Sequence, residues 1–205
     1  MICNGDTVQS WEVNFADMFT LNNWIIQLDM YCTPKEYIGF IGALAFGGAA
    51  LACFFLPVLG DKYGRWIIFQ ITMGIQIPLF LLALFTRNLA IVYFLCFFLG
   101  VTLIGRFTCG FVLLTELCPE RYGTFVGTAL MCGDSAATLY ITFYYRFISK
   151  DSYPIFWVGL FLNVITFFTT MFVPESAKWL ISVKQYSRAK QSLHRIARFN
   201  GVTDF

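Results

Sequence analysis

An acid and two bases lie close together in a short turn of the sequence and can form ion pairs. Asp61, Lys62 and Arg65 surround Gly64 in a segment, 60–65, that joins two apolar stretches. Glycine suits a point at which the chain must reverse. Opposite charges in so tight a turn can bridge neighbouring helix ends and hold one conformation closed. Composition alone favours a simpler interpretation, in which these charges only anchor two helix ends at the membrane surface.

Two further ionisable residues, Arg106 and Asp134, lie inside apolar stretches. A charge at mid-depth in a membrane costs at least about 2.5 kcal/mol unless it is paired or wetted. At about 1.5 Å per helical residue, Arg106 lies roughly 17 Å and Asp134 roughly 20 Å from the same membrane face. Because these depths nearly coincide on consecutive antiparallel spans, a buried ion pair is predicted. The sequence leaves two roles open for that pair: structural support of the bundle, or a place in the substrate path.

The sequence lacks the common catalytic and metal-binding patterns. His194 is the one histidine, and neither H-E-x-x-H nor G-x-S-x-G occurs. None of the seven cysteines forms a C-x-x-C pair, so we expect neither a metal site nor a cofactor. Cys3 and Cys32 share the polar N-terminal segment, where they can form an extracellular disulfide or pair with cysteines outside this chain. A membrane enzyme is therefore the least favoured class.

The composition indicates a membrane protein. Of 205 residues, 58% are hydrophobic and 13% are charged, whereas roughly a quarter of a soluble domain is charged. The net charge is only +2 and no basic run occurs, so nucleic acid is not expected as a partner. Five apolar stretches are long enough to cross a bilayer as helices, and none alternates like a barrel strand. They are 37–59, 66–86, 89–115, 122–145 and 154–173.

The distribution of Lys and Arg predicts the orientation of these spans. Lys62, Arg121 and the basic tail all fall on one side, which is then the cytoplasmic one. Residues 1–36 form an extracellular segment, 37–173 a transmembrane bundle, and 174–205 a cytoplasmic region. Apolar residues at helical spacing in that last region predict an amphipathic helix. They are Tyr186, Ala189, Leu193, Ile196 and Ala197.

Small residues at a four-residue spacing predict one face along which helices touch. Gly39, Ala43 and Gly47 recur in this way on the first span. Because lipid gives helices no hydrophobic drive to associate, close backbone approach is what packs them together. We therefore expect this face to contact a neighbouring helix.

The turn at 61–65 resembles the loop signature of the major facilitator superfamily, G-x-x-x-D-[RK]-x-G-R-[RK]. Pro57 stands in place of the leading glycine and Trp66 in place of the last basic residue. These two departures weaken the predicted packing at that helix end and remove one inner-face charge.

Three further segments after the turn resemble the same superfamily in the same order, and the last of them, 189–201, resembles the helix that opens its long central cytoplasmic loop. Segment 115–123 resembles the acidic–basic connection between its fourth and fifth spans. Segment 174–180, P-E-S-A-K-W-L, resembles P-E-S-P-R-W-L after the sixth span. Segment 27–32, Q-L-D-M-Y-C, resembles the loop sequence E-[WF]-[DN]-L-V-C of the organic cation and anion transporter branch.

The resemblance covers almost the whole chain and implies both a fold and a set of inner-face residues. The implied fold is an all-α membrane protein whose five spans are the second to sixth of the N-terminal six-helix half, followed by a cytoplasmic amphipathic helix. The first span and the C-terminal half would lie outside this chain. The inner-face motif residues are Asp61, Lys62, Gly64, Arg65, Glu116, Arg121, Glu175 and Lys178.

The resemblance implies transport of small organic ions by alternating access, in the plasma membrane and in contact with lipid. The site would lie between two six-helix halves near the midplane, so the C-terminal half of the same transporter is an expected partner. A sugar porter is an alternative within the class. A truncated membrane protein that does not transport is an alternative outside it.

Overall fold

The chain is helical throughout the part that the structure describes. The computed structural model describes residues 20–201, and within them the only β-type pairing is an isolated bridge between Asn22 and Asp151. Eight α-helices follow one another here: α1 (Trp24–Gln27), α2 (Lys35–Tyr63), α3 (Arg65–Phe85), α4 (Leu89–Leu117), α5 (Gly123–Phe143), α6 (Tyr153–Thr170), α7 (Ala177–Ser182) and α8 (Tyr186–Phe199). A 3₁₀ turn at Glu120–Tyr122 and a π-helical turn at Tyr144–Ile148 flank α5. The predicted all-α class is confirmed.

Among the described helices, four are long and apolar enough to cross a membrane: α2, α3, α4 and α6. Their most apolar windows have mean hydropathies between 1.5 and 2.1. With 21 residues, α5 has the length to cross, but its glycines, hydroxyl residues and Asp134 make it less apolar. The count of five spans therefore stays a prediction.

Helix α4 lies at the centre of the bundle and packs against α2, α3 and α5. Its core contacts join Ala52 and Leu56 of α2, Ile68 of α3 and Cys109 of α4. Helix α6 packs on α3. By contrast, α5 buries none of its side chains, so one side of the bundle is left open next to α4.

The contact between α2 and α4 depends on two glycines. A Cβ on Gly48 would collide with the carbonyl oxygen of Phe97, and one on Gly100 with that of Ala45. The buried face of α2 continues through Ala52, Leu56 and Gly60. Close backbone approach thus packs these helices, as expected in lipid, but on a different face from the predicted one.

The predicted packing stripe of α2 is exposed instead. Gly39, Ala43 and Gly47 all lie at the surface, and a Cβ on either glycine would meet nothing within 4 Å. A four-residue period defines one face of a helix, but it does not say which neighbour covers that face. Within residues 20–201 the stripe has no helix against it.

The segment before α2 is tied to the loop between α5 and α6. The amide of Asn22 donates to the carbonyl of Lys150 at 3.0 Å, and the amide of Ser152 donates to the carbonyl of Asn22 at 3.2 Å. Cys32 is disulfide-bonded. Cys3, its predicted partner, lies outside the described residues, so that pairing stays a prediction.

Helices α7 and α8 form a small unit at the same end of the bundle as the α2–α3 turn. Trp179, Leu180 and Ala189 make its core. Of the predicted apolar face of α8, Ala189 and Ala197 are buried, whereas Tyr186 and Leu193 are 64% and 44% exposed. Only part of that face therefore packs on this chain, and its amphipathic role stays a prediction.

Candidate functional site

The Arg65 guanidinium joins the ends of two long helices. Its Nη2 lies 3.0 Å from Oδ1 of Asp61, in the last turn of α2, and 3.3 Å from Oε1 of Glu116, in the last turn of α4. The Arg65 and Glu116 side chains are 17% and 18% exposed, whereas that of Asp61 is 71% exposed. Since water screens an exposed pair strongly, Glu116 is the better-shielded partner of Arg65.

The Glu175 carboxylate caps the first turn of α3. The Trp66 amide donates to both of its oxygens, at 3.1 and 3.2 Å, and the Ser176 amide donates to Oε1 at 3.0 Å. The first amides of a helix have no partner within the helix, and the helix dipole favours an anion beside them. Glu175 thus anchors the segment between α6 and α7 to the start of α3.

Gly64 makes this approach possible. Its φ of +113° lies in a region that residues with a side chain rarely adopt. A Cβ at this position would collide with Oε2 of Glu175 and come within 3.4 Å of the Trp179 ring. The turn between α2 and α3 therefore requires glycine for both its conformation and its contact.

Two tryptophans complete the cluster, and the sequence predicted for them only a position near span ends, in an aromatic belt. The Trp66 indole donates to the carbonyl of Thr170 at 2.9 Å, which ties α3 to the end of α6. The Trp179 indole donates to the carbonyl of Asp61 at 2.7 Å. Trp66 thus takes part as a hydrogen-bond donor at a position where the superfamily signature has a base. We define the inner-face cluster as Asp61, Gly64, Arg65, Trp66, Glu116, Glu175 and Trp179.

Three other predicted residues lie around this cluster rather than in it. The Lys62 ammonium lies over the Tyr63 ring at 5.3 Å, and the Arg121 guanidinium lies over the Tyr122 ring at 4.5 Å. Among the described residues, Arg121 forms no ion pair with an acid of the cluster. Lys178 is exposed on α7.

Arg106 and Asp134 line one cavity of about 730 Å³ between α4, α5 and α6. Each lies eleven residues from the end of its helix nearest the inner-face cluster, or about 17 Å into the bundle. The ion pairs of the described residues do not include one between Arg106 and Asp134. The predicted similarity of depth is thus present, while direct contact stays a prediction.

The other walls of this cavity are mostly apolar. The two charges share it with aromatic and aliphatic side chains, with the glycines of α4 and α5, and with two threonines of α6. These lining residues are Phe69, Phe107, Gly110, Phe111, Leu113, Leu114, Leu117, Ala129, Leu130, Gly133, Thr166, Thr170 and Val173. An apolar cavity with a few converging polar groups is the usual form of a small-molecule site.

The described residues include no group of three or more His, Cys, Asp or Glu side chains placed to hold a metal ion. The inner-face cluster consists of ion pairs and hydrogen bonds between helix ends. The contacts of Arg65 with Glu116 and of Glu175 with Trp66 each link two separate elements, so they can open and close together.

Sequence comparison relates the chain to membrane transporters. The profile of the family described as Sugar (and other) transporter matches residues 9–204. Organic cation/carnitine transporter 2 of Rattus norvegicus is 26% identical over 195 residues, which are 95% of this chain and 35% of that protein. Solute carrier family 22 member 3 of Mus musculus is 27% identical over 205 residues, covering 97% of this chain and 34% of the relative.

A bacterial relative extends the comparison beyond mammals. The 4-hydroxybenzoate transporter PcaK of Acinetobacter baylyi is 26% identical over 181 residues, which are 83% of this chain and 39% of PcaK. The chain thus spans a little over a third of the length of the relatives it matches. The predicted resemblance to the organic ion branch of the major facilitator superfamily is confirmed.

Proposed function

Since this chain belongs to the sugar (and other) transporter family of the major facilitator superfamily, we propose that it forms part of a transporter of small organic ions that works by alternating access. The names of its relatives support an organic substrate, because they include an organic cation/carnitine transporter and a 4-hydroxybenzoate transporter. Transport changes no covalent bond in the substrate, which agrees with the non-covalent character of both sites.

The cavity that holds Arg106 and Asp134 is the observation that carries this proposal. It combines a volume of about 730 Å³ with apolar walls and two opposite charges. A hydrophobic organic ion needs both features, since its carbon skeleton gains from apolar contact and its charge needs a counter-charge. We propose that one of the two residues contacts the charged group of the substrate.

We propose that α5 also crosses the membrane, as a fifth span. Its exposure on this chain fits a helix that lines a path and meets further helices. The exposed stripe of Gly39, Ala43 and Gly47 on α2 is suited to close packing in the same way. The proposed partners are a further span before α2 and a C-terminal half of the transporter. The proposed location is the plasma membrane.

The inner-face cluster serves as a gate in this proposal. Arg65 and Glu175 connect α2, α3, α4 and the segment before α7. When these contacts are intact the helix ends are held together on the cytoplasmic side. Breaking them would let the inner ends separate while the outer ends close, as alternating access requires.

Uptake by the full-length protein in proteoliposomes tests the proposal. Labelled carnitine, 4-hydroxybenzoate and glucose are compared, with Asp134→Asn and Arg106→Gln as variants and Glu36→Gln, at the start of α2, as the control. We expect saturable uptake of at least one organic ion. One of the two cavity variants should raise its KM about tenfold or more, because a charge-assisted contact is lost, and the control should not. Folded protein that transports neither organic ion contradicts the proposal.

A sugar porter is the second candidate, and the description of the matched family favours it as an alternative. The same uptake assay separates the two. Saturable glucose uptake without uptake of either ion would assign the chain to the sugar porters, and charge-neutralising changes in the cavity would then have little effect on KM.

A further inference from the structure

A pocket with three basic side chains lies outside the helical bundle, between α8 and the α2–α3 turn. Its volume is about 540 Å³. Lys62 contributes from the end of α2, and Arg188 and Arg195 contribute from α8. All three side chains are exposed. Since residues seven apart lie on one face of a helix, Arg188 and Arg195 face the pocket together.

The fourth charged residue of the pocket, Glu175, already accepts hydrogen bonds within the protein. Glu175 lines the pocket, but its carboxylate accepts from the amides of Trp66 and Ser176. The accessible charge of the pocket is therefore positive. Trp66 and Trp179 form part of its wall, and they give it an amphipathic edge of the kind found where a protein meets a membrane surface.

An apolar groove begins where this pocket ends. It lies between α3 and α6, has a volume of about 440 Å³ and is lined by Trp66, Gln70, Ile71, Gly74, Ile75, Phe167 and Met171. Trp66 lines both spaces. Gly74 lets the Phe167 ring of α6 lie close to α3 along this groove, since a Cβ there would come within 3.3 Å of the ring.

The length and direction of the groove fit one leaflet of a bilayer. From Trp66 to Ile75 the helix rises about 14 Å, and half of a hydrocarbon core is about 15 Å. Ile71 and Ile75 are 51% and 46% exposed, so the rest of the described chain leaves this side of α3 uncovered. A basic pocket at the membrane surface thus continues into a groove that runs along the hydrocarbon.

We propose that the pocket and the groove together bind one anionic phospholipid. Its phosphorylated headgroup lies among Lys62, Arg188 and Arg195, and one acyl chain lies along Ile71 and Gly74. Arg side chains suit phosphate because they donate several hydrogen bonds in a fixed fork. The bound lipid links α8 to α3 beside the inner-face cluster. The site does not depend on the proposed substrate, and only its assignment to the cytoplasmic leaflet rests on the proposed topology.

Native mass spectrometry of the delipidated full-length protein in detergent tests this proposal. The probe is phosphatidylinositol 4-phosphate, compared with phosphatidylcholine of the same acyl chains and with soluble inositol 1,4-bisphosphate. We expect the anionic lipid to bind with one copy per protein, and more tightly than either comparator. Arg188→Gln/Arg195→Gln should weaken its binding about 30-fold. Lys190→Gln/Arg198→Gln removes two exposed charges of the same helix that do not line the pocket, and should leave binding within about twofold.

A second pair of variants tests the groove. Ile71→Trp fills it and should reduce lipid binding while leaving the affinity for inositol 1,4-bisphosphate unchanged. Leu82→Trp, on an exposed part of α3 outside the groove, is its control. Equal binding of the lipid and the soluble bisphosphate would overturn the lipid proposal in favour of a phosphate site. Equal loss in both double variants would mean that the charge of α8 acts without a defined pocket, and would also overturn it.

Discussion

Glu175 accepts hydrogen bonds from the backbone amide of Trp66, a residue 109 positions earlier in the chain. Each belongs to a motif that the sequence presents separately, one between α2 and α3 and the other after α6. The structure brings the two motifs into one cluster, in which an acid from the second caps the helix that starts in the first. Removal of the Glu175 carboxylate should therefore destabilise the α2–α3 turn.

Glu175→Gln should lower the stability of the protein by about 1–2 kcal/mol, because a neutral amide interacts less well with helix N-terminal amides than a carboxylate does. Thermal unfolding of the full-length protein in detergent measures the change. Glu36→Gln is the control, since it alters an exposed acid in the first turn of α2. Equal loss in both variants would mean that Glu175 contributes no more than a surface acid.

Gly64→Ala should destabilise the protein by about 1–3 kcal/mol, because it combines an unfavourable φ with a collision against Glu175. Gly159→Ala on α6 is the matched control. A Cβ at Gly159 meets nothing within 4 Å, and alanine is the better helix former. The same unfolding assay applies. A neutral result at Gly64 would show that the turn relaxes to a conformation other than the one described.

Contacts of the inner-face cluster between residues that are close in the sequence could be predicted. Asp61 and Arg65 lie only four residues apart on the two sides of one short turn, so their proximity follows from the shortness of that connection. The Glu175–Trp66 contact could not be predicted in this way, because it depends on how α3 and α6 pack. Resemblance to the superfamily even pointed away from Trp66, since the signature has a base there. The donor to Glu175 is the backbone amide of Trp66, which any residue except proline has, so the side chain at this position carries no signal for the contact.

The same limit applies to the contact between α2 and α4. Small residues every four positions predicted a packing face at Gly39 and Gly47, but the contact forms through Gly48 and Gly100. The face of α2 that does contact α4 carries Leu56 as well as small residues. Its composition therefore did not distinguish it from the other faces of this apolar helix. The spacing of small residues identifies one face of a helix, but the neighbouring helices decide which face is covered.

Asp61→Asn should lower the maximal rate of transport with little change in KM. The Arg65–Asp61 pair lies at the inner end of the bundle, about 17 Å from the level of Arg106 along α4, and neither of its residues lines the cavity. Uptake kinetics in proteoliposomes at matched protein amounts give both parameters. Glu36→Gln, which changes an exposed acid in the first turn of α2, is the control. A large rise in KM at an unchanged maximal rate would contradict a gating role, since that pattern means lost ground-state binding.

Arg106 and Asp134 should be energetically coupled across the cavity that they share. Both line the same cavity, and in surroundings of low dielectric the removal of one charge leaves the other unbalanced. Arg106→Leu and Asp134→Leu should therefore each reduce the folded fraction in detergent, while the double variant recovers part of the loss. The expected coupling energy is about 0.5–3 kcal/mol. Asp134→Leu combined with Lys190→Leu, whose charge lies on α8, should be additive.

Uptake measurements on the same variants then decide which role the coupled charges have. If the double variant recovers both folding and uptake, the two charges support the bundle and the substrate does not need them. If it recovers folding but not uptake, at least one charge contacts the substrate, as proposed for the cavity. Additive losses in the double variant would show that the two residues do not interact. In that case Asp134, which is exposed on α5, faces a partner other than Arg106.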